Sequence, residues 1–140
     1  MIRAAAIADV LGIKDKVRSL RDLQAEVERG LPKASLQRCV TLIISDPKEQ
    51  KKIIYRIVPS ATYHRRKRIL KIEESEKTER LARVIATANH VWNDEEDARR
   101  FLTSPHPMLG MKTPIEVSHT ELGARRIEEM LWNLFHGLPA

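Results

Sequence analysis

Along almost the whole chain, apolar residues recur three and four positions apart, and no stretch alternates with period two. A half-buried strand needs that alternation, so the pattern predicts an all-α fold. Local punctuation then divides the helical run. Gly12 closes a first helix over about Arg3 to Leu11. Ser19, with Asp22 three residues on, caps a second helix whose stripe is Leu20, Leu23 and Val27. Gly30-Leu31-Pro32 ends it, read as a left-handed cap. A third, about Lys33 to Ile44, presents Leu36, Cys39, Val40, Ile43 and Ile44 on one face. Asp46 is placed at the N-cap of a fourth, with Pro47 in its first turn, Glu49 reaching back, and Ile53, Ile54, Ile57 and Val58 inward.

The second half reads the same way. From Glu73 the stripe Leu81, Val84, Ile85, Ala88, Val91, Trp92 fits one long amphipathic helix of about five turns. Its acidic start, Glu73, Glu74 and Glu76, suits a helix N-terminus and reads as a solvated face, not as a carboxylate pair for acid–base work. Asn93 or Asp94 caps a helix through Leu102, with Ala98, Phe101 and Leu102 inward. Thr103 to Pro107 reads as a connector, and Gly110 permits a tight bend. Thr113-Pro114-Ile115-Glu116 is a capping box, and Thr120 caps a last helix with the stripe Ala124, Ile127, Met130, Leu131, Leu134. Gly123 weakens that helix, which predicts close approach of another backbone, the helix beginning near Glu74 being the candidate.

Charge divides the chain more sharply than the net +6 suggests. Residues 1–71 hold 17 Lys/Arg against 7 Asp/Glu, whereas residues 72–140 hold 8 against 12. Composition thus turns over near Ile69 to Ile72, which predicts two units, 1–71 and 72–140, with different partners. The positive charge peaks in Ser60-Ala61-Thr62-Tyr63-His64-Arg65-Arg66-Lys67-Arg68, behind a capped helix and a Pro59 turn. Two readings are open. A helix-turn-helix places small and polar residues of its second helix at base edges and later cations at phosphates. A solvated basic helix end would simply complement the macrodipole. The first makes Ser60, Thr62, Tyr63, Arg65, Arg66, Lys67 and Arg68 the DNA-binding set, with Thr62 and Tyr63 nearer the bases. A dimer would then read two half-sites about one helical turn apart, or a multiple.

Several functions lack their signatures. His64, His90, His106, His119 and His136 have no metal-ligand spacing, and Cys39 stands alone as a core residue. No Gly-rich phosphate loop, nucleophile elbow, membrane-length apolar run or signal peptide is present, so the expectation is a cytoplasmic protein without catalytic residues, cofactor or metal.

The last forty residues carry a further pattern. The turn TSPHPMLGMKTPIE leads into the helix TELGARRIEEML and the terminus HGLPA. This combination resembles the toxin-binding end of the Xre/MbcA/ParS antitoxins, which partner toxins carrying a RES domain. The resemblance is dense over about 72–140 and sparser over 1–71, where the Arg-rich run matches the family's recognition helix. It implies an antitoxin, a homodimer within a larger complex, that binds operator DNA and neutralises a RES-domain toxin which consumes NAD or transfers ADP-ribose. It also implies that the C-terminal segment obstructs the toxin's NAD pocket. The toxin-binding set is then Arg126, Met130, Trp132, Asn133, Phe135, His136, Gly137, Leu138, Pro139 and Ala140. Trp132 falls off the apolar stripe, as a partner-facing aromatic would. A short, stiff tail bearing an ionised α-carboxylate suits a phosphate-binding pocket lined by arginine. Where family members often carry an aromatic before the last small residue, Leu138-Pro139 stands here. Two other readings compete: a free-standing repressor whose second half only dimerises, and an adaptor whose basic half binds a protein or RNA.

Overall fold

Caps and turns fix where each helix begins. The computed structural model describes residues 1–138, and every regular element in it is helical, with only two isolated β-bridges. In chain order these are α1 Ala4–Leu11, α2 Leu20–Arg29, α3 Lys33–Ile43, α4 Pro47–Ile57, α5 Ser60–Arg65, α6 Ile72–Trp92, α7 Glu95–Thr103, α8 Pro114–Val117 and α9 Glu121–Phe135, with short 3-10 turns at Lys14–Lys16 and Pro107–Leu109. Ser19 accepts from the Asp22 amide, Asp94 from the Asp97 amide, and Thr120 from the Gly123 amide. Thr113 and Glu116 form a reciprocal capping box that starts the one-turn α8.

Helix α6 organises the rest. Its 21 residues span about 30 Å, and residues on several of its sides are buried, among them Ser75, Thr78, Ala82, Val84, Ile85, Ala86, Thr87 and Ala88. Small side chains let neighbours approach closely. The two threonines cost little inside, because their hydroxyls donate to the carbonyls four residues back, Glu74 at 2.8 Å and Arg83 at 2.7 Å. α1, α2, α3 and α4 pack against α6 from the first half of the chain, and α7 and α9 from the second. One continuous core results, running from Ile7 through Leu36 and Ile85 to Leu131. The expected division at residues 71 and 72 coincides with the start of α6, and the helix itself serves both sides of it.

α9 runs parallel to α6. Arg80 meets Glu121, Arg83 meets Glu128, and His90 meets Trp132 and Phe135, so the two sequences advance in the same direction. Arg83 is the centre of the seam, 3.2 Å from Glu79, 3.1 Å from Glu121 and 3.1 Å from Glu128. Burial pushes the Glu79 and Glu128 carboxyls up, against the pull of the guanidinium.

Several local expectations are corrected by packing. Leu20 is 70 % exposed and Trp92 is 40 % exposed, although both continue a helical stripe. Gly30 has φ +102° with ψ 119°, outside the left-handed helical region; an added Cβ would meet Ile69 Cγ2 and the Leu70 carbonyl at 2.5 Å. Asp46 makes no side-chain cap, and Glu49 pairs with Lys52 instead of reaching back. Gly123 does admit a close backbone, but it is the Val117 carbonyl at the end of α8, not α6.

Candidate nucleic-acid interface and partner surface

Pro47 starts α4, Ile54 and Ile57 bury its inner face, and Val58-Pro59 turn the chain into α5. The basic helix is shorter than the sequence pattern suggests. It covers Ser60–Arg65, the backbone is extended at Arg66, and bends follow at Lys67 and Arg68. Ser60, His64 and Arg65 are exposed on α5, Thr62 is half-buried with its hydroxyl accepting from Arg65 at 3.2 Å, and Lys67 and Arg68 are exposed beyond the helix end. Lys48, Lys51 and Arg56 of α4 add exposed cations. None of Lys48, Lys51, Arg56, Arg65, Lys67 and Arg68 has a carboxylate partner within 4 Å among the described residues. A surface of unpaired cations around a tight helix–turn–helix has the chemistry to bind a polyanion.

Two residues of the expected DNA-binding set do other work. Tyr63 is buried at 7 % exposure, edge-on to Tyr55 at 6.0 Å and under the Lys33 ammonium, 4.2 Å above its ring. Its position is that of an inward-facing anchor for α5. Arg66 makes a bidentate pair with Glu74, Nε to Oε1 at 3.0 Å and Nη2 to Oε2 at 3.0 Å, instead of pointing to solvent. Those hydrogen bonds hold the Glu74 carboxyl below the usual carboxylate range. Sequence spacing could not reveal either role, because Lys33 lies far upstream and Glu74 lies across an irregular turn.

The opposite end of α6 carries an aromatic cluster. His90 lies 5.4 Å from Trp132 and 5.2 Å from Phe135 between ring centroids, and Trp132 stacks on His136 at 6.4 Å. Phe135 is 49 % exposed and Leu138 54 %, while Trp132 and Asn133 are half-buried. The chain folds back at Gly137 (φ +71°), where the Leu138 amide donates to the Asn133 carbonyl at 2.7 Å. Met130 faces the core at 7 % exposure, so it supports the patch from beneath and is not part of its outer surface. Arg126 is exposed and donates to the Met108 carbonyl at 3.0 Å, tying the connector before α8 to α9. That contact brings exposed Met108 close to Arg126, a neighbour 18 positions away that no helical spacing would pair with it. Pro139 and Ala140 lie outside the described residues.

Comparison with known proteins finds two matching family models. The model of the antitoxin Xre-like helix-turn-helix domain matches residues 22–83, and that of the antitoxin Xre/MbcA/ParS C-terminal toxin-binding domain matches residues 87–137. The chain is also similar to a protein of Pseudomonas putida described as antitoxin Xre, 31 % identical over 68 residues, which are 49 % of this chain and 43 % of that protein. The chain thus spans less than half the length of that relative. The two matched regions meet within α6, the helix that serves both halves, so the chain is similar to a helix-turn-helix domain on one side and to a toxin-binding domain on the other.

Proposed function

We propose that the protein is the antitoxin of a toxin–antitoxin pair, that its partner is a RES-domain toxin, and that it represses its own operon by binding DNA as a homodimer. The observation that carries this reading is the separation of two unpartnered surfaces at the ends of α6. Free cations gather around α4 and α5 at its N-terminal end, and the Trp132, Phe135 and His136 cluster lies at its C-terminal end. Support comes from the residue ranges, since the cations of α4 and α5 lie within 22–83, similar to a helix-turn-helix domain, and the aromatic cluster lies within 87–137, similar to a toxin-binding domain. In this division of labour residues 1–71 supply DNA reading and residues 72–140 supply toxin binding. Arg65, Lys67 and Arg68 meet phosphates, and Ser60 and Thr62 sit closest to the bases.

Exposed Phe135 and Leu138 flank the turn at Gly137 and make an apolar lip at the end of α9. Seating that lip on the toxin would carry the segment from His136 onward toward the toxin's NAD site and obstruct it. Whether that toxin degrades NAD or transfers ADP-ribose, the same obstruction would stop it. For self-association, an open groove between α1, α2, α6 and α9 presents exposed Met1, Leu20 and Ile72 to a second copy. The reading is tested by co-expressing the chain with the product of the adjoining reading frame. The expected result is a co-purifying complex in which NAD turnover is suppressed. A frame encoding no RES domain, or a RES protein whose turnover the chain leaves unchanged, would overturn it.

A further inference from the structure

The segment leaving α5 is built as a strap. From Arg66 to Leu70 the chain is irregular, yet polar contacts tie it down along its length. The Lys33 ammonium donates to the Arg66 carbonyl at 3.2 Å, the Lys33 amide to the Arg68 carbonyl at 2.8 Å, and the Leu70 amide to the Leu31 carbonyl at 2.9 Å. Leu31 is fastened in turn, its buried amide donating to the Ser75 hydroxyl of α6 at 2.8 Å. The two side chains that join the ends of the strap are Arg66, just past α5, and Glu74, in the first turn of α6. Both are largely sheltered, at 20 % and 13 % side-chain exposure, and Glu74 also accepts from the Lys71 amide at 2.8 Å.

A six-residue helix has no stability of its own, since nucleation costs more than so few turns return. α5 packs on α4 through Tyr63 but makes no comparable contact with α6. Its pitch therefore depends on what holds its C-terminal end. We propose that Arg66 and Glu74 are a positioning pair, which sets the orientation of α5 on the α6 spine and so fixes which residues of α5 can reach the bases. This rests on the DNA reading above and gives Arg66, which the sequence pattern counted among the DNA contacts, a positioning role instead. The pair thereby links the C-terminal end of α5 to α6, the helix whose far end carries His90 of the aromatic cluster.

Two opposing expectations make the pair testable. By long-range electrostatics alone, Glu74→Gln removes a negative charge beside a polyanion site and should tighten binding to any duplex. Positioning predicts the reverse for the specific site. The probes are a duplex carrying the promoter upstream of the protein's own gene and an unrelated duplex of equal length. Glu74→Gln in the full chain should lose about tenfold in promoter affinity, keep the salt slope of the wild type, and leave the unrelated duplex bound as well or slightly better. Amide exchange at Lys33 and Leu70 should quicken about tenfold, with Ile85 in the core unchanged. The swap Arg66→Glu with Glu74→Arg should restore protection at both amides.

Wild-type exchange at Lys33 and Leu70 in Glu74→Gln would overturn the proposal. It also falls if Arg66→Ala lowers the salt slope by about one phosphate contact, roughly 0.9, while Glu74→Gln binds the promoter normally. Should the wild type fail to prefer its promoter over the unrelated duplex, the DNA reading fails, and the exchange measurement still decides the strap.

Discussion

Replacing Gly123 by alanine separates local helix propensity from tertiary packing, because the two predict opposite signs. Gly123 is the third residue of α9, and at an ordinary helical position Gly→Ala gains about 1 kcal/mol. Here an added Cβ would lie deep inside the van der Waals radius of the Val117 carbonyl oxygen, and 2.9 Å from both Val117 C and Thr120 Oγ1. The obstacle is backbone and cannot rotate away. Relief requires α8 or the start of α9 to move by an ångström or more. Such a shift strains the Thr120 cap, worth about 1 kcal/mol, and disturbs buried Ile115 and Ser118, at about 1–3 kcal/mol for an overpacked site. Net destabilisation is about 2 kcal/mol after the propensity gain is subtracted. For a chain of this length that lowers Tm by roughly 6–8 °C. Urea and thermal unfolding followed by far-ultraviolet circular dichroism would read it. Gly110→Ala serves as a control for φ strain, since its φ is +64° but no atom lies within 4 Å of the new Cβ. A Gly123→Ala protein as stable as the wild type, or more so, would refute the packing argument and leave propensity in charge.

Two further consequences follow from buried polar groups. Ser75→Ala should destabilise the chain by about 1–3 kcal/mol, because it orphans the buried Leu31 amide, whereas Thr87→Val, which removes a hydroxyl bonded only within its own helix, should cost less; paired urea melts compare them. Burial, with Arg56 and Arg80 nearby and Glu116 opposing, holds the His119 imidazole down to about 4 against an ordinary 6.5. The folded protein therefore keeps His119 neutral while the unfolded chain takes up a proton, so this contribution is present above pH 6.5 and is lost as pH falls toward 4. Discounted for a half-exposed ring, the loss between about pH 7 and 5 is about 1 kcal/mol. His119→Gln should flatten the stability curve over that window, and an unchanged difference between variant and wild type would contradict the assignment.

What the sequence made legible was local. Ser19, Asp94, Thr113 and Thr120 announce their helices because a cap and the amide that donates to it lie within three residues, and the structure realises each cap. The stripes Leu36, Cys39, Val40, Ile43 and Ala124, Ile127, Leu131 are buried for the same reason. What stayed hidden depends on partners distant in sequence. Leu20 completes a stripe, yet it faces solvent while Leu23, one turn on, is the residue that α2 buries. Tyr63 and Arg66 sit in a run of cations, and only Lys33 and Glu74 explain why one is buried and the other sheltered. The charge change near residue 71 is real, but charge is a surface property. The core that α6 shares between the halves is written in small residues, Ser75, Ala82, Ala86 and Ala88, that carry no charge signal.

The proposed function requires two independent surfaces at opposite ends of α6. The most direct test measures both activities in two variants of the full chain: Arg65→Ala with Arg68→Ala at the DNA end, and Phe135→Asp at the partner end. The first should weaken promoter binding, with its salt slope reduced by about two phosphate contacts or roughly 1.8, and leave toxin affinity unchanged. The second should weaken toxin binding by at least about a hundredfold, the scale of a central aromatic anchor, and leave promoter binding unchanged. If either variant lost both activities while remaining folded, or if the double arginine variant kept the wild-type slope, the two-surface account would be contradicted.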